Sequence, residues 1–481
     1  MNEINTWSAT RVASAVRSGD ISSREAVEAS LARLDEVEPI TNAFEDRAED
    51  ALARADEADA RRRRGEQLGP LHGVPIAVKD NHDVKGLPTT HGVPALAGLP
   101  PASETCPPVD RYVESGAIII GRTRMPPFGM RWTTQSDFFG PTRNPHDPTV
   151  TAGASTGGGA AAVATGVVPI AQGNDIGGSL RYPATVCGVV ALRPTVGMVP
   201  WWTSPQGLGM RVSSREFQVD GPIARHVEDL RLALSVVAKP DPRDPDATPG
   251  YAAARVTRPR IGVVLDPGDA PFAGSGTPEI EKSVREVAAT LRSDGYEVDE
   301  IVVPQLGEAA SLWLRLAFAD FVLSGLGDQI DEFADEGMQF KFRSVVSLVE
   351  EAYGPTDLRA YLEGQERRSL IRRELSELMT RYPVLLLPNS GEPAFALGSD
   401  VTSRDRVHDL LRHQWPNLAV PFMALPGVGI ATHVRPRQSP LGVQLIGRAF
   451  DEATLLDIAA ALQERMPVPS PVEPVPPHAT R

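Results

Sequence analysis

Three residues in the first half of the chain could do nucleophilic chemistry together. Ser155 lies in Gly153-Ala154-Ser155-Thr156-Gly157, Ser179 follows Gly177-Gly178, and Lys79 ends the apolar run Pro75-Ile76-Ala77-Val78. A serine hydroxyl becomes a useful nucleophile when a neighbouring base takes its proton. Lysine can be that base where apolar surroundings depress its pKa. The successive N–H groups around Gly177 and Gly178 could hold an oxyanion, and glycine lets the backbone approach a substrate closely. Ser155 could relay a proton between Ser179 and Lys79. Two other chemistries fit parts of the same stretch. Gly153 to Gly157 matches the G-x-S-x-G nucleophile elbow, but the preceding segment is polar and Pro-containing rather than a strand. None of the candidate partners His226, His408, His413 and His433 has a distinctive context. A phosphate cradle would need a G-x-x-x-x-G-K-[ST] or a G-x-G-x-x-G after a strand, and neither is present. Taken singly, Ser179 reads as a turn residue and Lys79 as a strand-end charge; only the joint pattern points to catalysis.

The lysine sets the energetic demand. At a pKa of about 10.4 it is neutral to about one part in 10³ at pH 7, and bringing it near 7 costs about 4.6 kcal/mol. Burial supplies shifts of about 3 to 5 units, so Lys79 must sit away from water and from unpaired carboxylates. Asp80, next in sequence, would point to the opposite face of a strand.

These residues need elements to hold them. The chain has 481 residues, a net charge of −14, two cysteines and five lysines among its 48 basic residues. A chain this long buries roughly 75% of its unfolded surface without disulfide staples. The acidic balance argues against a nucleic-acid binder, and the dense run Arg61 to Arg64 reads as a solvated helix end. Cys106 and Cys187 form no metal quartet and no CxxC, so both read as reduced thiols. No apolar run reaches the roughly 18 residues of a membrane span, and the first 14 residues carry no signal-peptide pattern. The expectation is a cytoplasmic protein with neither nucleic-acid nor membrane partners.

Two helices are expected to open the chain: one started by a capping box at Ser22 and Glu25, with Val27, Leu31 and Leu34 at helical spacing, and an Ala-rich one over 45–64. Short buried strands are expected at 74–78, 116–121 and 167–171, with a helix over 160–165. The Pro/Asp-rich segment 241–249 reads as an exposed connection. A strand at 260–265, a helix opened by Thr277 and Pro278, and a strand at 297–303 form a βαβ unit. The mostly helical segment 312–379 carries Trp313, Phe318, Phe321, Phe340 and Phe342, as core or pocket wall. Strands at 384–387 and 442–446 precede a helix burying Leu455, Ile458 and Leu462, and the Pro-rich tail from 467 reads as extended or disordered. Strands alternating with helices predict an α/β fold around a largely buried sheet.

The motifs together resemble the amidase signature family. Gly153-Ala154-Ser155-Thr156-Gly157-Gly158 and Asp175-Ile176-Gly177-Gly178-Ser179-Leu180-Arg181-Tyr182-Pro183-Ala184 are similar to its signature, with the two serines at the interval it requires. Leu71 to Asp80 resembles its lysine segment. Gly140 to Pro145, Gly188 to Gly197 and Gly442 to Ala453 resemble flanking stretches, so the likeness runs over roughly residues 7 to 465. The resemblance implies a single α/β domain around a large mixed sheet and a Ser-Ser-Lys triad. In it Ser179 is the nucleophile, Ser155 the bridging serine on a cis peptide and Lys79 the base. It also implies an oxyanion hole from the N–H groups of Ile176, Gly177, Gly178 and Ser179, and no metal or cofactor. Thr156, Gly159, Arg124 and Arg193 depart from the usual residues without removing a catalytic group.

Thr156, Asp175 and Arg181 are expected to support the site. Arg181 either braces the nucleophile loop through Asp175 or binds a substrate carboxylate. Met130, Gln135, Trp201 and Trp202 are expected at the pocket, within wall loops over 124–135, 201–210 and 312–343. Residues 1–65 read as N-terminal helices, 66–466 as the catalytic body and 467–481 as a tail. The expected substrate is a small or medium amide, anilide or carbamate with an apolar side, acted on by a monomer or homodimer; esters are chemically open. The alternatives are the glutaminase subunit of a tRNA-dependent amidotransferase and a non-catalytic scaffold that keeps the fold.

Overall fold

The computed structural model describes residues 1–202, 210–355 and 357–477. Its strands are β1 (Phe44–Arg47), β2 (Pro75–Lys79), β3 (Ile118–Thr123), β4 (Gln135–Ser136), β5 (Gly140–Pro141), β6 (Ile170–Asp175), β7 (Val190–Arg193), β8 (Val219–Ala224), β9 (Ile261–Val263), β10 (Val298–Glu300), β11 (Val384–Pro388), β12 (Gly427–His433) and β13 (Leu441–Gly447). Eleven form one sheet in the order β1-β3-β2-β6-β8-β7-β12-β13-β11-β9-β10, while β4 and β5 pair separately. The β3-β2-β6 and β11-β9-β10 groups are parallel and the rest antiparallel, so the sheet is mixed. The chain is a single large α/β domain.

Helices cover both faces, and the side-chain period of two sorts each strand between them. Ile76 and Val78 pack into one core and Ala77 into the other; Val384 and Leu386 separate likewise from Leu385 and Leu387. Strands buried on both faces read as continuous apolar runs rather than alternating ones, which is why β2, β3 and β11 are legible. Three central strands leave no such run. β8 holds Gly221 and Pro222, and a Cβ at Gly221 would lie 2.3 Å from the Leu192 carbonyl oxygen. β7 is only four residues long, and β12 begins Gly-Val-Gly.

The N-terminal expectation needs correction. Three helices, Ala9–Ser18, Ser23–Thr41 and Ala51–Arg63, open the chain, and β1 occupies the start of the segment expected to be helical over 45–64. Edge pairing wins there: β1 runs antiparallel to β3, and Glu38 accepts the N–H groups of Ala43 and Phe44 at 3.0 and 3.1 Å, which redirects the chain. The capping box at Ser22 and Glu25 is formed in both directions. Arg61 and Arg64 pair with exposed Glu57 and Glu66. Cys106 and Cys187 are buried and unpaired.

The tail is extended and attached: Val472 and Val475 donate to the Ala164 and Pro145 carbonyls, and Glu473 pairs with Arg33. Residues 478–481 lie outside the described residues. Among the described residues no single helix is long and apolar enough to cross a membrane.

The parallel β2-β6 pair positions the site. Val78 pairs with Gln172, so Lys79 ends its strand beside the last residues of β6. Beyond Asp175 the chain turns through Ile176 to Ser179 before the helix Arg181–Val186. The expected strand at 167–171 is therefore displaced toward the C-terminus, and this displacement brings Asn174 and Asp175 level with Lys79. The helix Gly157–Ala164, preceded by Ser155, packs beside both strands.

Candidate active site

Lys79 is fully buried. Its Nζ donates to Ser155 Oγ at 2.7 Å and to Asn174 Oδ1 at 2.6 Å, and Ser155 Oγ donates to Ser179 Oγ at 3.0 Å. The Ala154–Ser155 peptide is cis. Gly173 lets this loop close on β6: a Cβ there would lie 2.5 Å from Thr156 Cγ2. The Thr156 N–H donates to the Ser179 carbonyl at 3.3 Å, and its hydroxyl reaches the Asn174 carbonyl at 3.5 Å. Burial brings the Lys79 pKa down to about 7, although the carboxylates of Asp220 and Asp175 pull it upward. Asp80 is spent elsewhere, accepting from Thr90 and Gly92 and pairing with Arg122.

Asp175 organises the turn that carries Ser179. It accepts from the N–H groups of Gly178 and Leu180 at 2.8 and 3.2 Å, and from Arg181 Nε and Nη2 at 3.0 Å each. Burial alone would raise its pKa; the Arg181 and Arg193 guanidiniums and the Gly178 N–H hold it at about 2. Arg181 is itself fully buried, and its remaining donors reach Gln444 Oε1 and the Asn417 carbonyl. Arg193 donates to the Asp175 and Phe217 carbonyls. Of the four N–H groups expected at an oxyanion hole, that of Gly178 is thus taken, while those of Ile176, Gly177 and Ser179 meet no acceptor among the described residues. Gly178 has φ +102°, and a Cβ there would lie 2.5 Å from the Asn417 side chain.

Ser179, Ile176 and Gly177 border a cavity of about 1060 Å³. The three expected loops contribute Phe128 to Trp132, then Trp201 and Met210, then Trp313, Phe318 and Phe321; a further wall from Asn81 to Ser103, with His91, Leu96 and Leu99, was not among the expected ones. Met130 and Trp201 are therefore at the cavity. Gln135 and Trp202 are not: Gln135 sits in β4, and residues 203–209, next to Trp202, lie outside the described residues. Arg124 is turned away, paired with Glu45 and stacked on Phe139. Phe342 packs on Phe318 behind the wall, and Phe340 is exposed.

Asn174, and the His82–Asp220 pair behind Lys79 at 3.3 Å, escape sequence reasoning because their placement depends on strand register. Glu392, Asp409 and His413 offer ligand atoms within 4.8 Å of one another, but Arg406 bonds to both carboxylates and takes the place of a cation.

The family model described as Amidase matches residues 25–456. The chain is 35% identical over 466 residues to the indoleacetamide hydrolase of Bradyrhizobium diazoefficiens, covering 95% of this chain and 86% of that protein. It is also 35% identical over 491 residues to a glutamyl-tRNA(Gln) amidotransferase subunit of Chloroflexus aurantiacus, covering 96% and 97%. A solved bacterial aryl acylamidase superposes with a TM-score of 0.82 at 25% identity over 97% of each chain. With its sheet, its serine-bearing turns and a match over nearly its whole length, the chain belongs to the Amidase family, the amidase signature enzymes.

Proposed function

We propose that the protein is a metal-independent serine amidohydrolase acting on small or medium amides, anilides or aryl carbamates with an apolar group. The observation that carries this reading is the unbroken chain Lys79 Nζ–Ser155 Oγ–Ser179 Oγ with a lysine poised near neutrality. Neutral lysine has one lone pair. Asn174 Oδ1 holds one of its N–H groups, and once the proton it donates to Ser155 is lost the lone pair faces Ser155, whose hydroxyl turns to donate to it and opens its oxygen to Ser179. Ser179 Oγ attacks the carbonyl carbon as its proton passes to Ser155 Oγ and the Ser155 proton passes to Lys79. The N–H groups of Ile176, Gly177 and Ser179, which meet no acceptor among the described residues, are the donors for the developing oxyanion. The C–N bond then breaks, and the lysine proton returns through Ser155 to the departing amine. Water, deprotonated along the same relay, cleaves the acyl-enzyme to acid and free Ser179. Asp175 and Arg181 brace the turn and do not touch the substrate.

The aromatic wall suits an aryl or alkyl group, in keeping with the names of the indoleacetamide hydrolase and aryl acylamidase relatives. The amidotransferase relatives support a second reading, a glutaminase subunit; the size and apolar wall of the cavity favour the first. The test is a panel of primary aryl amides, anilides, peptide amides, aryl carbamates and glutamine, assayed with purified wild type, Ser179→Ala and Lys79→Ala. Aryl amide or carbamate turnover should fall at least 10³-fold in both variants. Hydrolysis that survives in both refutes the site, and turnover of glutamine alone supports the second reading.

A further inference from the structure

A second polar feature of the same cavity lies outside the serine–lysine relay. Lys341, on the helix Glu336–Tyr353, borders the cavity yet is only 4% exposed. Its acceptor among the described residues is Asp400 Oδ2, at a long 3.4 Å. That carboxylate is already engaged by the Arg131 guanidinium, through Nη2 to Oδ1 at 2.8 Å and Nε to Oδ2 at 3.2 Å. The third neighbour is the face of Trp132, 4.4 Å from Nζ to the ring centroid, which accepts no conventional hydrogen bond. An ammonium carries three donors, so two of these have no acceptor among the described residues. Burial pushes the Lys341 pKa down to about 8 against the pull of Asp400, which leaves it mostly charged at pH 7.

Within the Arg131–Asp400–Lys341 cluster two cations share one carboxylate. Asp335, beside Arg131, is spent on the N–H groups of Met338 and Asp137. Asp83, also at the cavity, takes the Thr89 hydroxyl. A buried cation short of acceptors is costly unless something pairs with it, and the open side of this one is the substrate cavity. We infer that Lys341 anchors a carboxylate on the substrate, so that the amides bound here join an anionic end to an apolar body. This narrows the substrate class of the amidohydrolase reading and rests on it for turnover, though not for binding.

The test compares 4-carboxyphenylacetamide with its neutral near-isostere 4-nitrophenylacetamide. Calorimetry measures their binding to Ser179→Ala and to the same protein carrying Lys341→Met; kcat and KM are measured in wild type and in Lys341→Met. The carboxylate compound should bind at least tenfold more tightly to Ser179→Ala. Lys341→Met should erase that preference, acting on KM rather than kcat, and Lys341→Arg should restore part of it. Comparing the same ratio in both proteins cancels the electronic difference between the compounds. No preference in Ser179→Ala, or a preference that survives Lys341→Met, overturns the inference. The Ser179→Ala measurement stands even if Lys341→Met does not fold. Binding preference without turnover in wild type sinks the hydrolase reading and leaves the anion anchor standing.

Discussion

Lys79 is one of five lysines in a chain that otherwise uses arginine, and its identity rather than its charge is what the chemistry needs. Arginine keeps its proton in proteins; a lysine held near 7 gives it up. The same depression is a statement about stability. In the folded state Lys79 loses its proton near pH 7, whereas in the unfolded chain it keeps it to about 10.4. Between those values the unfolded state binds more protons, so this group adds stability as pH rises from 7 toward 10 and contributes no slope below. Melting temperatures of wild type minus Lys79→Met should therefore climb across that window and stay level from pH 5 to 6.5; a level difference throughout would contradict the depressed pKa. Lys79, Ser155 and Ser179 were legible because each sits in a motif. Asn174 was not, because its carboxamide meets Lys79 only through the register of two strands far apart in sequence.

At the scale of elements, the turn between β6 and the helix Arg181–Val186 holds the nucleophile by its backbone. Asp175 gathers two N–H groups and two guanidiniums without solvent. Removing one partner of such a buried pair costs about 3–5 kcal/mol, because the remaining charge is stranded. Arg181→Met should lower stability to chemical denaturation by about that much. It should also slow neutral and carboxylate-bearing amides alike, whereas a substrate-binding arginine would lose the carboxylate compounds selectively. Gly178→Ala should cut kcat at least 10²-fold with little change in KM, since its φ is left-handed and the new Cβ would meet Asn417; near-normal kcat would show that the turn adapts. β2, β3 and β11 were readable as apolar runs. β1, a charged edge strand, carries the pattern of a helix start, and β7, β8 and β12 are hidden by shortness, glycine and proline.

At the scale of the molecule, the sheet brings the ends of β2 and β6 under a cavity walled by segments from distant parts of the chain, among them residues 81–103, 128–132 and 313–345. That assembly explains why the class of chemistry was readable while the pocket was only half so: motifs are local, and walls are not. Met130 and Trp201 face the cavity, while Gln135 and Arg124, equally plausible in sequence, are drawn away by the β4–β5 pair and by Glu45. Trp313 spans both levels, packing on Gly177 and on Phe217, so Trp313→Ala should raise KM for arylacetamides about tenfold and spare acetamide; equal losses for both would place Trp313 in the core alone. The central claim is that neutral Lys79 activates Ser179 through Ser155. The pH dependence of inactivation by a fluorophosphonate tests it most directly, because it reads the nucleophile without a leaving amine. Wild type should be labelled at Ser179 with a second-order rate that rises about tenfold per pH unit below 7 and levels off above it. Lys79→Ala should react at least 10²-fold more slowly with that inflection gone. A flat wild-type profile from pH 5.5 to 9, or a Lys79→Ala protein labelled at the wild-type rate, would contradict it.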